Sequence, residues 1–372
     1  MAKILILTCW DDDFDLETVR GTPETAYLLH YLDKQGISQS VVFPSKRNDF
    51  PPNFVPVRVK LLPSGRGIRF VSTPINYFFL NFAMLRKVRS LKEKYHLVYS
   101  LCSSTSFAAW KISKEQGIPY AQKFSGLIFF GKYGKFERWL QDFHTSLTIK
   151  LRPDLTFVVD DGSGGGRILI DSGLSEKKVV TLPNPVPEKV FLKKRNSSPV
   201  IGWVGRFNRL KGVNFLPDII VDVLEMMPDV KFRIVGFGPY RSLLEKKLRK
   251  FRQNVTIEEG GTYFETLKIY GEIDLFISTN VYANYTLPVL EALAHGTPVV
   301  AFSVPGTGRL IKDGINGYVV SPFNTGMFAR KIVEALRRID EMVVPAREAV
   351  NGLPRWHNRM ALEITMLKRL ME

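Results

Sequence analysis

Eight consecutive residues in the second half of the chain, Gly205-Arg206-Phe207-Asn208-Arg209-Leu210-Lys211-Gly212, directly follow a short apolar run, Ile201–Val204. Arg206 and Lys211 put two cations on one loop. A guanidinium forks onto anionic oxygens, and an ammonium adds a point charge. Glycine at the end of a strand lets a ligand approach the backbone closely. If the apolar run is a strand of an open α/β sheet, the loop lies at the sheet's carboxyl edge, where such sheets bind ligands. Two cations there suit a diphosphate, held first as a bound group and then as a departing one. Basic loops are common on a chain with 52 Lys/Arg against 36 Asp/Glu, so this loop needs a partner motif.

The partner is the stretch Asn284–Ala301. Thr286 stands where an N-cap belongs, Pro288 fits a first helical turn, and Leu287, Leu290, Leu293 and Ala294 form one apolar face. Gly296 ends the helix, and Pro298–Ala301 reads as the next strand. A helix N-terminus offers backbone N–H groups and a positive dipole end to an anion. Glu291, about one turn further in, is a carboxylate able to accept both hydroxyls of a ribose. An isolated helix glutamate is by default a solvated side chain, and only its company argues otherwise.

Other chemistry-bearing residues read more plainly. Asp160–Arg167 carries four glycines at positions 162 and 164–166 but no Lys-Ser pair, and reads as a flexible surface loop. Cys9 and Cys102 each sit in an apolar, strand-like run and are expected to be reduced, buried thiols. CxxC and HExxH spacings are absent, no metal site is expected, and Asp11–Asp13 reads as a solvated acidic loop. His30, His96, His144, His295 and His357 read as surface or satisfied helix-end residues.

Positioning these residues requires two α/β units, and 372 residues suffice for two cores. Strands are expected at Ile4–Thr8, Ser40–Phe43, Val55–Leu61, Leu97–Ser100, Tyr120–Phe124 and Leu155–Val159. Helices are expected between them at Pro23–Gln35, Asn76–Lys94 and Ser106–Gln116. A second series of strands begins at Val200–Val204 and continues with Val230–Val235, Val255–Glu258, Leu275–Ser278, Pro298–Phe302 and Gly317–Val320. Its helices are expected near Phe215–Met227, Tyr240–Phe251, Thr262–Tyr270, Leu287–His295 and Thr325–Arg338. This alternation predicts parallel sheets covered by helices. The expected division is 1–190, 191–352, and a final helix in 353–372 that returns to the first domain.

Taken together, the motifs resemble the retaining glycosyltransferases of family 4 (glycosyl transferases group 1), over about residues 199–322. The resemblance implies the GT-B fold: two Rossmann-like domains with parallel sheets facing across a cleft. It implies that Arg206 and Lys211 are catalytic, stabilising the donor diphosphate, and that Gly205, Gly236 and Gly238 lie near the nucleotide. Thr286 and Leu287 match backbone groups at the phosphates, and Glu291 matches the glutamate that binds the donor ribose. Gly306 and Asp313–Gly317 fit the family's later glycine segment, and Asn184 fits the asparagine that closes the first lobe. The implied activity is metal-independent transfer, with retention, of a hexosyl-type sugar from a UDP- or GDP-linked donor to a lipid-linked or polysaccharide acceptor. The nucleotide sugar is then a substrate, and no cofactor is implied.

The chain departs from the pattern at several places. Ala283 occupies the position of the first of two glutamates spaced eight apart, the carboxylate that reaches the transferred sugar; Asn280 and Asn284 are the polar candidates nearby. Thr286 replaces a glycine. Arg20-Gly21-Thr22-Pro23-Glu24 stands where relatives have a Gly-Gly loop, and Gly21 remains a candidate contact to donor phosphate or acceptor. Gln122–Gly126 lacks the histidine found there in relatives. Two other readings stay open: an epimerase-like enzyme on the same fold, and a nucleotide-sugar binder whose catalysis is impaired.

Residues 51–150 hold 16 Lys/Arg against 4 Asp/Glu, which concentrates most of the +16 net charge in about a quarter of the chain. Phe70–Leu85, aromatic and flanked by Arg66, Arg69, Arg86, Lys87 and Arg89, and Phe124–Trp139, which mixes aromatic and basic residues, fit the pattern of peripheral attachment to an anionic membrane. Phe70–Leu85 reads equally as a core helix, and Phe124–Trp139 as an exposed loop. No nucleic-acid motif accompanies the charge. Without a signal-peptide pattern or an 18-residue apolar run, a cytoplasmic protein is expected, attached if at all to the cytoplasmic membrane face.

Overall fold

The β-branched runs of the first half form one sheet. A computed structural model describes residues 2–10, 14–62, 69–127, 142–191, 193 and 196–372. Its first strands are β1 (Lys3–Leu7), β2 (Ser38–Pro44), β3 (Phe54–Val57), β4 (Leu97–Ser100), β5 (Tyr120–Phe124), β6 (Leu155–Asp160) and β7 (Val179–Pro183). They lie in the order β3-β2-β1-β4-β5-β6-β7, and the pairs from β3 through β6 run parallel. The second series gives β8 (Val200–Val204), β9 (Lys231–Val235), β10 (Val255–Glu258), β11 (Leu275–Ser278), β12 (Val299–Phe302) and β13 (Gly317–Val320). These are ordered β10-β9-β8-β11-β12-β13, all parallel. Both sheets are doubly wound: strand order reverses beside the first strand, between β1 and β4 and again between β8 and β11.

The chain divides into two units. One comprises Met1–Asp15, Glu24–Leu182 and Asn358–Glu372; the other comprises Leu16–Pro23 and Pro183–His357. The chain therefore passes between units eight residues before the expected 190/191 division. Leu16–Pro23, part of the N-terminal stretch by sequence, clusters with the second unit, where the Tyr263 N–H donates to the Val19 carbonyl at 2.8 Å.

In the first unit, β4 and β5 are buried at every position. That burial encloses a charged pair of elements. Lys123 of β5 lies 2.6 Å from Glu24 and 3.2 Å from Glu363, while Arg359 binds both carboxylates. The Tyr99 hydroxyl donates to Glu363 at 2.5 Å. Glu24 begins the helix Glu24–Lys34, and Arg359 and Glu363 lie one turn apart on the last helix, Trp356–Met371. Two cations against two carboxylates neutralise one another in a dry setting, and this network fastens the last helix to the unit. Burial alone would raise Glu24, but Lys123 and Arg359 outweigh it and bring its pKa to about 2.

In the second unit, the helix Leu216–Met226 buries Leu216, Ile219, Ile220 and Val223 against Ile201, Trp203 and Phe232. That i, i+3, i+4, i+7 spacing is one helix face, worth about 1.5–3 kcal/mol per buried side chain. The helix Tyr263–Glu272 starts with a capping box between Thr262 and Glu265.

Several local expectations are corrected. β3 ends at Val57 rather than at residue 61, and the helix expected from Asn76 spans Arg69–Leu91 with Pro74 inside it. The helix expected over 240–251 breaks into Arg241–Lys247 and a short 3-10 turn, Arg249–Phe251. Asp160–Arg167 is no simple surface loop. Gly165 and Gly166 open the helix Gly165–Asp171 and are buried; a Cβ on them would meet Val158 at 2.8 Å and Thr181 at 2.5 Å. These glycines let a helix lie close on the sheet. Cys9 and Cys102, expected inside separate strands, lie just past the ends of β1 and β4, which are neighbours.

Among the described residues, no helix is long and apolar enough to cross a membrane.

Candidate functional site

The basic loop leaves β8 at the point where strand order reverses, and the loops after β9 and β11 flank it. Hydrogen bonds fix its shape. The Asn208 side chain accepts the Lys211 N–H at 3.0 Å, closing a 3-10 turn, Arg209–Lys211. The Thr279 hydroxyl, at the end of β11, accepts from the Trp203 indole N–H at 2.9 Å and donates to the Lys211 carbonyl at 2.8 Å. The Val281 N–H donates to the Leu210 carbonyl at 3.2 Å. Lys211 is thus held through its backbone from two sides. Asn208 went unremarked in the sequence, although an Asn three residues before a donor N–H is a recognisable local motif.

The glycines let neighbouring loops pack closely against one another. Gly212 has φ +65°, and a Cβ there would fall 1.8 Å from the Thr279 carbonyl oxygen. At Gly236, φ is +155° and a Cβ would sit 1.8 Å from the Gly205 carbonyl oxygen. Gly238 packs against the Phe207 backbone in the same way, and the Phe207 N–H donates to the Phe237 carbonyl at 2.7 Å. The absence of side chains here serves contact between loops, and the loops after β8 and β9 interlock as a result. Arg206 is exposed at this junction, its guanidinium 5.9 Å from the Phe237 ring centre.

The helix Leu287–Ala294 follows on from β11. Thr286 occupies its N-cap position, but its hydroxyl forms no cap bond; Oγ1 is buried without a hydrogen-bond partner among the described residues. Leu287 is half-buried at the first position. The expected single apolar face is also revised, since Val289, Leu290, Glu291, Ala292 and Leu293 are all buried. The approach to the helix is pinned by Asn184, whose side chain donates to the Tyr285 carbonyl at 2.8 Å.

Glu291 is 4% exposed, so the default picture of a solvated helix glutamate does not hold. Burial pushes its pKa up to about 7, while the hydroxyls of Tyr270 and Tyr263 pull the other way. The Tyr270 hydroxyl completes no hydrogen bond of ordinary geometry among the described residues. That of Tyr263 accepts from the Trp356 indole at 3.1 Å. His295 at the helix end is fully buried, with Nδ1 2.7 Å from the Glu291 carbonyl and Phe191 stacked on its ring.

Ala283 is buried and supplies no carboxylate. Asn284 is no substitute, because it is fully buried and structurally engaged. It accepts from Ser278 at 2.6 Å and donates to the Phe302 carbonyl at 2.8 Å and to Thr307 at 3.0 Å. Asn280 donates into the same network at 3.2 Å and 3.3 Å. The role sequence assigns to these asparagines as polar candidates is therefore taken up by holding the loop after β11 in place.

Gly21 lies in the short segment that clusters with the second unit, with φ +86° and open space where a Cβ would stand. Lys193, between β7 and β8, was missed: its ammonium binds the Ile273 carbonyl at 2.6 Å and Thr297 at 3.1 Å, and burial lowers its pKa to about 8. Asp11–Asp13, Arg66 and residues 128–139 of the second aromatic stretch lie outside the described residues.

Two doubly wound parallel sheets in one chain define a class, the GT-B type of α/β fold. Solved structures agree along the whole chain. Sucrose-phosphate synthase from Thermosynechococcus elongatus superposes with a TM-score of 0.77 at 17% identity, covering 100% of this chain and 99% of that one. The Anabaena protein Alr3699/HepE in complex with UDP-glucose gives 0.70 at 15% identity, covering 99% and 100%. Within this class, residues 198–338 match the family described as Glycosyl transferases group 1. Over 158 residues, the chain is 30% identical to alpha-D-kanosaminyltransferase of Streptomyces kanamyceticus, across 42% of this chain and 40% of the relative. It is also 30% identical to D-inositol 3-phosphate glycosyltransferase of Corynebacterium urealyticum, across 44% and 41%. The matched stretch thus spans about two fifths of these relatives.

Proposed function

We propose that the chain is a retaining, metal-independent glycosyltransferase that moves a hexosyl-type sugar from a nucleoside-diphosphate donor to an acceptor hydroxyl. The observation that carries this reading is the interlocked edge of the second sheet. Two cations sit on a loop fixed by Asn208 and Thr279, at the point of strand reversal where open α/β sheets take their ligands. Arg206 and Lys211 hold the donor diphosphate and stabilise its charge as the bond to the sugar breaks. The departing phosphate then takes the proton from the acceptor hydroxyl on the same face of the sugar. Positioning and charge stabilisation supply the rate. Leu287 and Thr286 present the helix end to the phosphates, with Gly205, Gly236, Gly238 and Gly21 beside the nucleotide, and Glu291 takes the ribose hydroxyls.

The similar proteins favour a nucleotide-sugar donor: one solved relative carries UDP-glucose. The acceptor is proposed to be lipid-linked or a polysaccharide. A lipid surface is supported by the helix Arg69–Leu91, which buries Tyr77, Leu80, Met84 and Leu85 yet leaves Phe79 51% and Phe82 59% exposed, followed by exposed Arg86 and Lys87. Sedimentation with anionic vesicles tests this; binding that salt and Phe82→Ser both weaken supports the surface, and no binding removes it.

One observation favours a second reading, a nucleotide-sugar binder with impaired catalysis: no carboxylate stands at Ala283, and Asn284 is committed to the loop. Incubation with a panel of UDP- and GDP-sugars, with chelator present, separates the two. Slow donor hydrolysis supports the enzyme. Binding of a donor without turnover supports the binder, and failure to bind any donor rejects both.

A further inference from the structure

The two cysteines of the chain are 93 residues apart in sequence and adjacent in space. β1 and β4 pair in parallel with Leu7 opposite Ser100. The Leu101 N–H, one residue past β4, donates to the carbonyl of Leu7, the last residue of β1, at 2.9 Å. Counting two residues on from each partner brings Cys9 opposite Cys102, and Cys102 itself is extended, with φ −148° and ψ 148°. Neighbouring strands lie about 4.8 Å apart, inside the span of roughly 4.4–6.8 Å that a disulfide bridges between Cα atoms. The contact is direct: the Cys9 N–H donates to Cys102 Sγ at 3.1 Å, and the Thr105 hydroxyl lies 3.6 Å from the same sulfur. Both residues are half-buried rather than sealed in the core.

We propose that Cys9 and Cys102 form a redox-modification site, a dithiol that low-molecular-weight disulfides convert to an intramolecular disulfide. The two thiols are unequal. Burial raises the Cys102 thiol, but hydrogen bonds from Cys9, Thr105 and the Ser104 N–H outweigh it and hold it below the ordinary thiol value. The Cys9 thiol is pushed far up by its neighbour and by burial. Cys102 Sγ, which accepts from the Cys9 N–H and lies beside the Thr105 hydroxyl, has the donors that stabilise a thiolate and is the attacking sulfur. Its thiolate attacks one sulfur of the external disulfide, forms a mixed disulfide and expels the other half as a thiolate. Cys9 then gives its proton to solvent and attacks Cys102 Sγ, releasing the second thiol. The protein loses two electrons and two protons, and one external disulfide becomes two thiols. The product ties the chain leaving β1 to the chain leaving β4.

The test uses the full chain, incubated with excess oxidised glutathione, quenched with N-ethylmaleimide and weighed intact. The expected product lacks two hydrogens, takes up no maleimide, yields a linked peptide pair containing Cys9 and Cys102, and regains both maleimide sites after dithiothreitol. Cys9→Ser is expected to stop as a glutathione adduct on Cys102. Cys102→Ser is expected to form its adduct roughly tenfold more slowly. Maleimide on both cysteines after oxidation, a disulfide-linked dimer in place of the internal bond, or equal rates in the two variants would overturn the proposal.

Discussion

The carboxyl edges of the two sheets use charge in opposite ways. Near the ends of β4 and β5, Lys123 and Arg359 are buried and matched by Glu24 and Glu363, and the network holds one unit together. After β8, Arg206 is exposed and Lys211 is half-buried on a loop that hydrogen bonds hold from its backbone. The same topology thus gives a closed, self-neutralised edge in one unit and, in the other, a basic edge that we propose takes an anion. Doubly wound sheets provide the place, and the side chains decide whether it is structural or functional.

The carboxylates diverge in the same sense. The pKa of Glu24 is brought to about 2 by its cations, whereas burial drives that of Glu291 to about 7. A lowered carboxyl adds stability above its ordinary range and loses it as pH falls toward the folded value. A raised carboxyl does the reverse: the folded state holds a proton the unfolded chain has released, so stability declines as pH rises from about 4.5 to about 7.

The sharpest way to break the comparison is Lys123→Met. Two buried carboxylates then face a single cation, at a cost of about 3–5 kcal/mol. Hydrogen exchange is expected to accelerate in β4 and β5 and to leave β8 and β11 unchanged. Equal acceleration in both sheets would mean the network is not local to its unit. Next is Glu291→Gln, expected to stabilise the second unit by up to about 3 kcal/mol above pH 7 and to change nothing below pH 4.5, in melts recorded across pH. The same variant is expected to bind nucleoside diphosphate roughly tenfold more weakly, the scale of a hydrogen bond to a charged group. Stability gained with affinity lost would mark Glu291 as a strained functional residue. Unchanged affinity would make it only a buried acid. The smallest expected effect is at the exposed aromatic face, where Phe82→Ser is expected to shift the melting temperature by no more than a degree or two, within the range of surface substitutions. A large loss of stability there would show that Phe82 belongs to the core.

Much of this was legible in the residues. The strands β4, β5, β8, β10, β11 and β13 run where the sequence reading expects them; β4, β8, β11 and β13 are mostly apolar, as parallel strands covered on both faces need. β7 and the helix Ile339–Glu348 were not legible: the first is only partly buried, and the second carries Pro345. Within the site, the sequence places Arg206, Lys211 and Glu291 on the right elements, since local spacing sets which loop or helix carries them. It leaves unseen what depends on distant neighbours. Gly236 answers to the Gly205 carbonyl, Asn184 to Tyr285, and Glu291 to Tyr263 and Tyr270. The Cys9–Cys102 contact is of the same kind, invisible until β1 and β4 are known to be neighbours.

Calorimetric titration of UDP and GDP into the wild-type chain and into Arg206→Ala and Lys211→Ala tests the central claim most directly, paired with turnover on whichever donor binds. The account predicts that each variant keeps its fold, binds the diphosphate more weakly and turns over roughly 10²–10³-fold more slowly, the scale for losing one charge-stabilising contact. Undiminished binding and near-normal turnover in both variants would contradict it.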